Sequence, residues 1–291
     1  MRLGILGSEK SPYVTMLQQA GEQHEGVREV TRFGFSDLQA TCTGGKCHVD
    51  RLGELDAVIV RTMPLGTLEQ VIFRMDCLHV LADSGVAIIN SPRSLEVAID
   101  KWLTLHRLQQ AGVNVPKTVA CQTREQALEA FDALGGDVVV KPLFGGEGRG
   151  ILRVAESDLA WRVFSSLEQL GSVFYVQQYL QHRGFDVRVL FVGEKHFAMK
   201  RVAESGWRTN ISQGSLPGEY ELTEAELGIA RRAYAAVGAE VAGVDLMPCI
   251  DEEVVALEVN AVPGWLGIQK VCREDIAFQV VDFAVRKTMS C

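Results

Sequence analysis

The sequence predicts an N-terminal α/β domain followed by an α+β region, and three observations support that prediction. Short apolar strands alternate with amphipathic helices over residues 1–93, which is typical of a parallel sheet. A strand, a glycine-rich loop and a second strand follow within residues 94–175. Beyond them, residues 176–291 hold several β-rich runs with few helical segments between. We therefore expect three units with these bounds, one parallel α/β domain and two α+β units.

Composition and charge narrow the class of protein before any motif is considered. The chain has 291 residues, of which 47% are hydrophobic and 23% charged, as in ordinary soluble globular proteins. A formal net charge of −8 argues against a nucleic-acid partner, which would favour a basic surface. No apolar run approaches the roughly 18 residues that span a bilayer, and the apolar stretch in "MRLGILGSEK" is too short for a secretory signal. We expect a cytoplasmic homo-oligomer that binds neither membranes nor nucleic acids.

The seven cysteines predict reduced thiols, because their number is odd and their spacing is irregular. One stretch, "CTGGKCHVD", brings together Cys42, Cys47, His48 and Asp50, as half of a zinc site would. No second Cys/His pair follows at matching spacing, and zinc usually takes four ligands. A polar surface loop is therefore the favoured interpretation of this stretch.

In the N-terminal domain, "RLGILG" (2–7) predicts a strand that ends in a glycine turn. The runs "DAVIVRT" (56–62) and "VAIIN" (86–90) predict two further strands that are closed by polar residues. Between them, "LGTLEQVIFRMDCLHVLADSG" has helical spacing and ends at Gly85. The turn cluster "NSPRS" (90–94) marks the end of the domain.

The middle of the chain predicts helices around one hairpin. A helix is expected to begin near Ser94 and to continue through "LEVAIDKWLTLHRLQQAG" to Gly112. The segment "TREQALEAFDALGG" predicts a helix capped by Thr123, with Gln126 at the third helical position. The segment "DVVVKPLFGGEGRGILRV" predicts the hairpin, and "DLAWRVFSSLEQLG" another helix. The strand "VFYVQQYL" then leads into a unit where "FDVRVLFVG", "KHFAMKRVA", "VAGVDLMPC" and "VVALEVN" predict an antiparallel or mixed sheet.

The first chemical motif is a lysine at the end of a buried strand, followed by a glycine-rich loop. Lys141 precedes four glycines, Gly145, Gly146, Gly148 and Gly150. Glycines let a backbone approach phosphates closely and offer N–H groups to them. A P-loop would place the lysine after the glycines, and both it and a Rossmann fingerprint would continue into a helix rather than the strand "ILRV". A mobile cover over phosphates is favoured over an unstructured hairpin tip.

Acidic side chains interrupt two otherwise apolar strands. Asp245 lies in "GVDLM", whereas Glu258 and Asn260 lie two residues apart in "LEVN" and so point to one face. If the two strands form a hairpin, the three oxygen-bearing side chains share a face. Such a set suits Mg²⁺, which takes hard oxygen ligands and usually phosphate as well. A buried ion pair with lysine or arginine is the alternative.

Cationic residues accompany the neighbouring strands. Asp186 and Arg188 share one face of a predicted strand, and Lys200 and Arg201 lie on the next strand. The sequence "RTN" (208–210) falls in the loop that follows. Cations placed here would meet a polyphosphate or an acidic substrate. A solvated charged face is the other interpretation.

Taken together and in this order, the motifs resemble an ATP-grasp ligase, and more narrowly the RimK-like branch, whose members attach glutamate to a carboxylate. The resemblance covers Ser91 to Gly267 well and the N-terminal domain loosely. Its motifs are "SPRSLEVAIDKWLTLHRLQQAGVNVPKT", "VVKPLFGGEGRGI", "VQQYL", "DVRVLFVG", "MKR", "RTNISQGS", "GVDLM" and "EVNAVPGW". Taken by itself, Lys101 would be interpreted as one half of a surface ion pair with Asp100. Only the order of the motifs around it indicates a functional role for this lysine. The stretches "FRMDCLHVLADSGVAIINSP" and "VNAVPGWLGIQ" are further similar to tetrahydromethanopterin α-L-glutamate ligases.

The resemblance implies an ATP-grasp fold in which an α/β pre-ATP-grasp domain precedes two α+β subdomains that enclose ATP. It implies ATP contacts at Lys101, Lys141, Gly145, Gly146, Gly148, Gln178, Tyr179, Leu180, Asp186 and Lys200. Asp186 would lie near the ribose, and the strand around Gln178 would line the adenine. Glu147 departs from the family's pattern, which has a small or neutral residue there, and is expected to point outward toward Arg149.

The resemblance also implies a metal site and a reaction. Asp245, Glu258 and Asn260 would hold Mg²⁺ or Mn²⁺, while Arg208 and Asn210 would face the transferred phosphoryl group. Transfer of the γ-phosphoryl group to a carboxylate gives an acyl phosphate, which the amine of L-glutamate attacks with release of phosphate. The implied substrates are ATP, L-glutamate and a small-molecule acid, with a pterin-type acid favoured as acceptor.

Other functions stay open at this point. The acceptor in a RimK-like ligase is alternatively a protein C-terminus, and a non-catalytic ATP-binding regulator would share the fold. A nicotinamide dehydrogenase is disfavoured, because "GILGSEKS" lacks the third glycine of a dinucleotide fingerprint. The complete acidic set and both lysines favour an enzyme over a regulator.

Overall fold

The computed structural model describes residues 1–146, 148–204, 206–209, 214–251 and 253–289. The predicted site residue Asn210, and Glu147 of the glycine-rich loop, lie outside the described residues. Within these ranges the strands form three main sheets and one small hairpin. No helix of the described part is long and apolar enough to cross a membrane.

The N-terminal domain is built on a four-stranded parallel sheet, as predicted. The sheet has the order β2-β1-β5-β6, with β1 at Arg2–Leu6, β2 at Glu29–Phe33, β5 at Ala57–Val60 and β6 at Ala87–Ile89. Its helices are α1 at Pro12–Gln23 and α2 at Leu68–Asp83. Helix α2 ends before Gly85, whose φ of 90° suits a residue without a side chain. The last helix, α9 at Ile276–Met289, packs against α1, although its residues were predicted to belong to the C-terminal unit.

The cysteine-containing stretch forms a β-hairpin with a disulfide, which corrects the prediction that all cysteines are reduced. Strands β3 (Ala40–Thr43) and β4 (Lys46–Val49) pair so that Cys42 and Cys47 lie opposite each other and are bonded. Spacing alone did not reveal this cross-strand pairing. No group of three or more metal-ligating His, Cys, Asp or Glu side chains occurs among the described residues.

The long helix predicted from Ser94 to Gly112 is divided in two, which is a second correction. Helix α3 (Pro92–Ile99) ends at Asp100, and α4 (Lys101–Gln110) begins directly after it. The Asp100 carboxylate accepts hydrogen bonds from the backbone N–H groups of Trp102 and Leu103 at 2.9 and 3.0 Å. It therefore caps α4, and the non-helical backbone at Asp100 separates the two helices.

The middle of the chain forms an antiparallel sheet with the order β7-β10-β8-β9. Its strands are β7 at Thr118–Cys121, β8 at Val138–Lys141, β9 at Leu152–Val154 and β10 at Phe174–Gln178. Its helices are α5 at Arg124–Ala133 and α6 at Ser157–Gln169. The predicted hairpin is confirmed, because β8 and β9 pair across the glycine-rich loop. The predicted boundary after residue 175 falls inside β10, which pairs with β7 and β8.

A five-stranded antiparallel sheet with the order β13-β12-β11-β14-β15 follows. Its strands are β11 at Phe185–Val192, β12 at Lys195–Val202, β13 at Leu216–Glu219, β14 at Val241–Pro248 and β15 at Val254–Asn260. Its helices are α7 at Glu224–Val237 and the short α8 at Leu266–Gln269. One face of the sheet packs apolar side chains against α7, and the other face carries charged residues.

A buried asparagine joins the N-terminal sheet to the five-stranded sheet. Asn90 follows β6, and its amide nitrogen donates to the carbonyls of Val241 and Ala261. Its amide oxygen accepts from the backbone N–H groups of Glu240 and Val241, both at 2.7 Å. Because the side chain is 2% exposed, these bonds fix the two sheets relative to each other.

Candidate active site

A cleft of about 660 Å³, a volume that includes space open to solvent, lies between the middle sheet and the charged face of the five-stranded sheet. Eight of the predicted site residues line it, namely Lys141, Gln178, Tyr179, Leu180, Asp186, Arg208, Asp245 and Glu258. They come from β8, β10, β11, β14, β15 and the loop after β12, so the fold assembles positions far apart in sequence. A cleft with convergent charged groups between two subdomains is the kind of site where a ligand binds.

Lys141 is held at the base of the cleft by a chain of polar side chains. Its ammonium group donates to the side-chain oxygen of Gln177 at 2.7 Å, and the Gln177 amide donates to the Thr118 hydroxyl at 2.9 Å. The second bond fixes which end of the amide faces the lysine. Burial lowers the pKa of Lys141 below its ordinary value of 10.5, and the negative charge of Glu258 opposes that shift. The lysine is therefore a pre-oriented cation at the cleft.

Lys101 reaches the glycine-rich loop from the start of α4. Its ammonium group donates to the carbonyls of Gly145 at 2.7 Å and Leu143 at 3.4 Å. Gly145 and Gly148 have φ values of 126° and 72°, so the loop needs residues without side chains there. Burial lowers the pKa of Lys101, against the charges of Glu258 and Asp100. Lys101 and the loop thus lie together beside the cleft, and Lys101 is not a surface ion pair.

A buried ion-pair cluster forms one wall of the cleft. Arg201 donates two hydrogen bonds of 2.6 Å to Asp186 and one of 2.7 Å to Asp245. Arg188 donates to both carboxylate oxygens of Asp245, and the Thr209 hydroxyl donates to Asp186 at 2.6 Å. All five side chains are buried. The alternative left open for the acids, a buried ion pair, therefore holds for Asp186 and Asp245 in this structure.

The two acids of the cluster differ in their pKa shifts. Burial would raise the pKa of Asp245, but the charges of Arg188 and Arg201 outweigh it and hold the pKa at about 2. Burial dominates at Asp186, and its pKa is raised even though Arg201 lies beside it. Burial acts against the charge on Arg201, whose pKa is nevertheless raised because two carboxylates surround the guanidinium. Each charge of the cluster depends on its partners, so loss of one leaves another uncompensated.

The three residues predicted to bind metal occupy the expected strand positions. Asp245 on β14 lies directly opposite Glu258 on β15, and Asn260 is paired with Gly243 two positions along the same face. Within the described part of the chain, the Glu258 side chain makes no hydrogen bond, whereas the Asn260 side-chain oxygen accepts from the backbone N–H of Val262 at 2.9 Å. The oxygens of these side chains are hard donors of the kind that Mg²⁺ takes, but those of Asp245 are bonded to Arg188 and Arg201 and that of Asn260 to Val262, so of the three residues only Glu258 has a carboxylate available to a cation in this structure.

The strand around Gln178 contributes side chains rather than free backbone donors. The N–H groups of Gln178 and Tyr179 already donate to the carbonyls of Lys117 and Asp137, at 2.8 and 3.0 Å. Leu180 lines the cleft through its apolar side chain. Leu180 therefore gives the cleft an apolar side chain, while the backbone N–H groups of Gln178 and Tyr179 are engaged elsewhere.

Several cleft residues were not predicted from the sequence. Trp207 and His182 are two of them, and their rings pack in T-shaped geometry with that of Tyr179, which was predicted, at centroid distances of 6.0 and 6.2 Å. The Arg208 guanidinium lies 4.8 Å from the centre of the Trp207 ring and donates to the Ile151 carbonyl at 3.0 Å. These aromatic side chains follow no periodic pattern, so only the tertiary structure places them at the cleft.

Lys200 is not brought to the cleft. It pairs with Val187, whose side chain packs in the core on the α7 side of the sheet. Arg201, one residue later, points to the opposite face and lines the cleft instead. Because successive side chains of a strand alternate between faces, only one of these adjacent cations reaches the site. The expected cation is present, but at Arg201 rather than Lys200.

Proteins of one family are similar to this chain. The RimK-like ATP-grasp domain matches residues 98–284. The chain is 34% identical over 209 residues to the tetrahydromethanopterin:alpha-L-glutamate ligase of Methanosarcina acetivorans, which covers 67% of this chain and 64% of that protein. It is 32% identical over 290 residues to the enzyme of the same name from Methanococcus maripaludis, which covers 98% of each chain.

Solved structures of ATP-grasp proteins share the fold. The ATP-grasp ligase PsnB in complex with a minimal precursor has a TM-score of 0.76 at 21% identity, covering 98% of both chains. A RimK domain protein from Sphaerobacter thermophilus has a TM-score of 0.76 at 21% identity, covering 97% of this chain and 99% of that chain. The predicted fold class and the predicted resemblance are both confirmed. The chain belongs to the RimK-like ATP-grasp family of ligases.

Proposed function

We propose that the chain is an ADP-forming ligase that attaches L-glutamate to the carboxylate of a small-molecule acid through an acyl phosphate. The observation that supports this most directly is the presence of Lys141 and Glu258 in one cleft between two sheets, with Lys101 close enough for the charge of Glu258 to act on it. Two lysines beside an unpaired carboxylate suit a nucleoside triphosphate with its divalent cation. The relatives named as glutamate ligases support the choice of amino acid.

The residues of the cleft have separate tasks in this reaction. Lys141 and Lys101 would hold the phosphates as point charges, with the glycine-rich loop closing over them. A divalent cation held by Glu258 would neutralise charge on the phosphates, and Asp245 and Asn260 would join it only by exchanging their present hydrogen bonds. Arg208 would face the phosphoryl group that moves to the acceptor. Water must be excluded, because an acyl phosphate hydrolyses readily, and the loop beside Lys101 is placed to do this.

The acceptor proposed is a tetrahydromethanopterin-type pterin. It is supported by two relatives of that name, one of which aligns over nearly the whole chain. A protein C-terminus remains the other acceptor of the same chemistry. In either case the activated group is a carboxylate and the nucleophile is the amine of glutamate, so the same cleft residues serve both.

A defined substrate panel tests the proposed function. Purified protein is incubated with ATP, Mg²⁺ and L-glutamate together with tetrahydromethanopterin, a C-terminal peptide or no acceptor, and products are identified by mass. We expect the pterin to gain one glutamyl unit, with one ADP and one phosphate formed per bond. Glutamylation of the peptide alone would contradict the pterin assignment, and AMP with pyrophosphate would contradict the acyl-phosphate chemistry.

Nucleotide binding should depend on pH through Lys141. Only the protonated ammonium attracts phosphate, and burial lowers its pKa below 10.5, so ATP affinity should already decline as the pH rises toward 10.5. The variant Lys141→Arg should show a flatter profile over this range, because a guanidinium stays protonated. The dissociation constant of ATP, measured by calorimetry at each pH, compares the two. Identical profiles would mean that Lys141 is not the titrating phosphate contact.

A further inference from the structure

A buried arginine lies at the carboxyl edge of the N-terminal sheet, outside the cleft described above. Arg61 directly follows β5 and is 3% exposed. One terminal nitrogen of its guanidinium donates to the Pro263 carbonyl at 2.7 Å. The group also lies over two aromatic rings, 4.3 Å from the centre of Trp265 and 5.0 Å from that of Tyr13. Among the described residues it has no other hydrogen-bond partner.

This guanidinium has no acidic partner, unlike the other buried arginines. Arg188 and Arg201 each bond to carboxylates in the ion-pair cluster. No carboxylate of the described part of the chain forms an ion pair with Arg61, and burial lowers its pKa to about 10. A buried charge without a counter-ion is costly, so proteins seldom keep one unless a ligand supplies the opposite charge.

Two neighbouring donors at this position lack an acceptor. The Nε–H of Arg61 and the indole N–H of Trp265 are both buried, and neither meets an acceptor in the described residues. Buried N–H groups are nearly always paired, so two unmet donors on stacked groups call for a molecule that only accepts hydrogen bonds. A carboxylate has that property, and its two oxygens match a guanidinium.

The position of Arg61 relates it to the cleft. Pro263, whose carbonyl it contacts, follows Asn260 by three residues. Gly243 on β14 lies next to both regions, because a Cβ atom placed there would be 3.0 Å from Arg188 and 3.2 Å from Pro263. The loop that contains Pro263 therefore adjoins the ion-pair cluster. In addition, ligands of parallel α/β sheets bind at the carboxyl ends of the strands, where Arg61 is found. A substrate that extends from the cleft toward the N-terminal domain would meet this arginine.

We propose that Arg61, with the indole N–H of Trp265, binds a carboxylate of the donated amino acid. This inference rests on the proposed ligase function. The acceptor carboxylate has to lie against the phosphates to be activated, whereas the carboxylates of L-glutamate stay unreacted and can be held further away. Arg61 bonds to the loop that adjoins the ion-pair cluster and lies outside the cleft that would hold the phosphates, so it is placed for a group that stays unreacted.

Binding of L-glutamate without turnover tests the proposal. Calorimetry measures its dissociation constant on protein loaded with Mg²⁺ and a non-hydrolysable ATP analogue. Arg61→Gln should weaken glutamate binding about 100-fold, and Arg61→Lys about tenfold, because lysine keeps the charge but loses the paired donors. Affinity for the ATP analogue and for tetrahydromethanopterin should stay within about twofold.

Arg74 offers a matched control in the same domain. It also donates to a proline carbonyl, that of Pro64 at 2.8 Å, and lies 5.9 Å from the centre of the Phe35 ring, but the residue is only partly buried and this hydrogen bond is exposed. Arg74→Gln should leave glutamate binding unchanged. If Arg61 only fastens the 263–265 loop, Arg61→Gln should instead lower the melting temperature and leave glutamate affinity as in the wild type.

The outcomes separate this inference from the function on which it rests. Wild-type glutamate affinity in Arg61→Lys would overturn the proposal, even if Arg61→Gln failed to fold. A loss confined to pterin affinity would also overturn it, because the arginine would then serve the acceptor. The calorimetric assay needs no turnover. A dependence of glutamate binding on Arg61 would therefore support the inference even if every acceptor in the panel proved inactive. Failure of the ligase assay alone would contradict only the proposed function.

Discussion

Lys141→Ala is expected to reduce kcat/KM for ATP by about 100-fold or more, with the fold retained. Lys141 is a pre-oriented cation at the base of the cleft, held by Gln177, and alanine leaves no positive charge in its place. Stability should not fall, because removal of a buried ammonium also removes its desolvation cost. Steady-state kinetics and a melting curve on the same preparation measure both effects.

Lys200→Ala provides the control for that prediction. Lys200 was a predicted ATP contact, but it lies on the face of the five-stranded sheet that is turned toward α7. Its removal should therefore leave kcat/KM within about twofold of the wild type. Equal losses in the two variants, or full activity in Lys141→Ala, would contradict the assignment of phosphate binding to Lys141.

Glu258→Gln is expected to lower turnover about 100-fold while changing the melting temperature little. Glu258 lines the cleft, and its side chain makes no hydrogen bond within the described part of the chain, so its carboxylate is available to a divalent cation. Glutamine has the same shape without the negative charge that such a cation needs. Turnover is measured at saturating Mg²⁺, and the melting temperature is measured without metal.

Asp245→Asn, in contrast to Glu258→Gln, should lower the melting temperature clearly. Asp245 lies opposite Glu258, but it bonds to Arg188 and Arg201, and neutralising it leaves two buried guanidinium groups under-compensated. We expect a loss of about 3–5 kcal/mol in the free energy of unfolding. A Glu258→Gln variant as unstable as Asp245→Asn would show that Glu258 is structural, and a fully active one would exclude it from the metal site.

Local patterns predicted much of the site, because they depend on neighbours along the chain. The two-residue period placed Glu258 and Asn260 on one strand face, and the predicted pairing of the two strands brought Asp245 opposite Glu258. Lys141 at the end of a strand, with glycines after it, predicted the hairpin that the structure has. In each case the spacing of a few consecutive residues determines the geometry.

The errors arose where one residue or a distant partner decides the outcome. Lys200 and Arg201 are adjacent cations, and only the strand register determines which one faces the cleft. Asp100 ended a helix that periodicity would have continued, because its side chain caps the next helix. The buried position of Arg61 depends on Trp265, some two hundred positions away, and no local pattern indicates such a contact.

The fate of the acceptor's carboxylate oxygen tests the central claim most directly. The acceptor that is glutamylated in the panel is labelled with heavy oxygen in its carboxylate and converted completely in ordinary water. In the proposed reaction one carboxylate oxygen attacks the γ-phosphorus, and the glutamate amine then breaks the bond between carbon and that oxygen. One heavy oxygen should therefore appear in each inorganic phosphate, with none in the nucleotide. Label in AMP, or unlabelled phosphate alongside glutamylated product, would contradict an acyl-phosphate ligase.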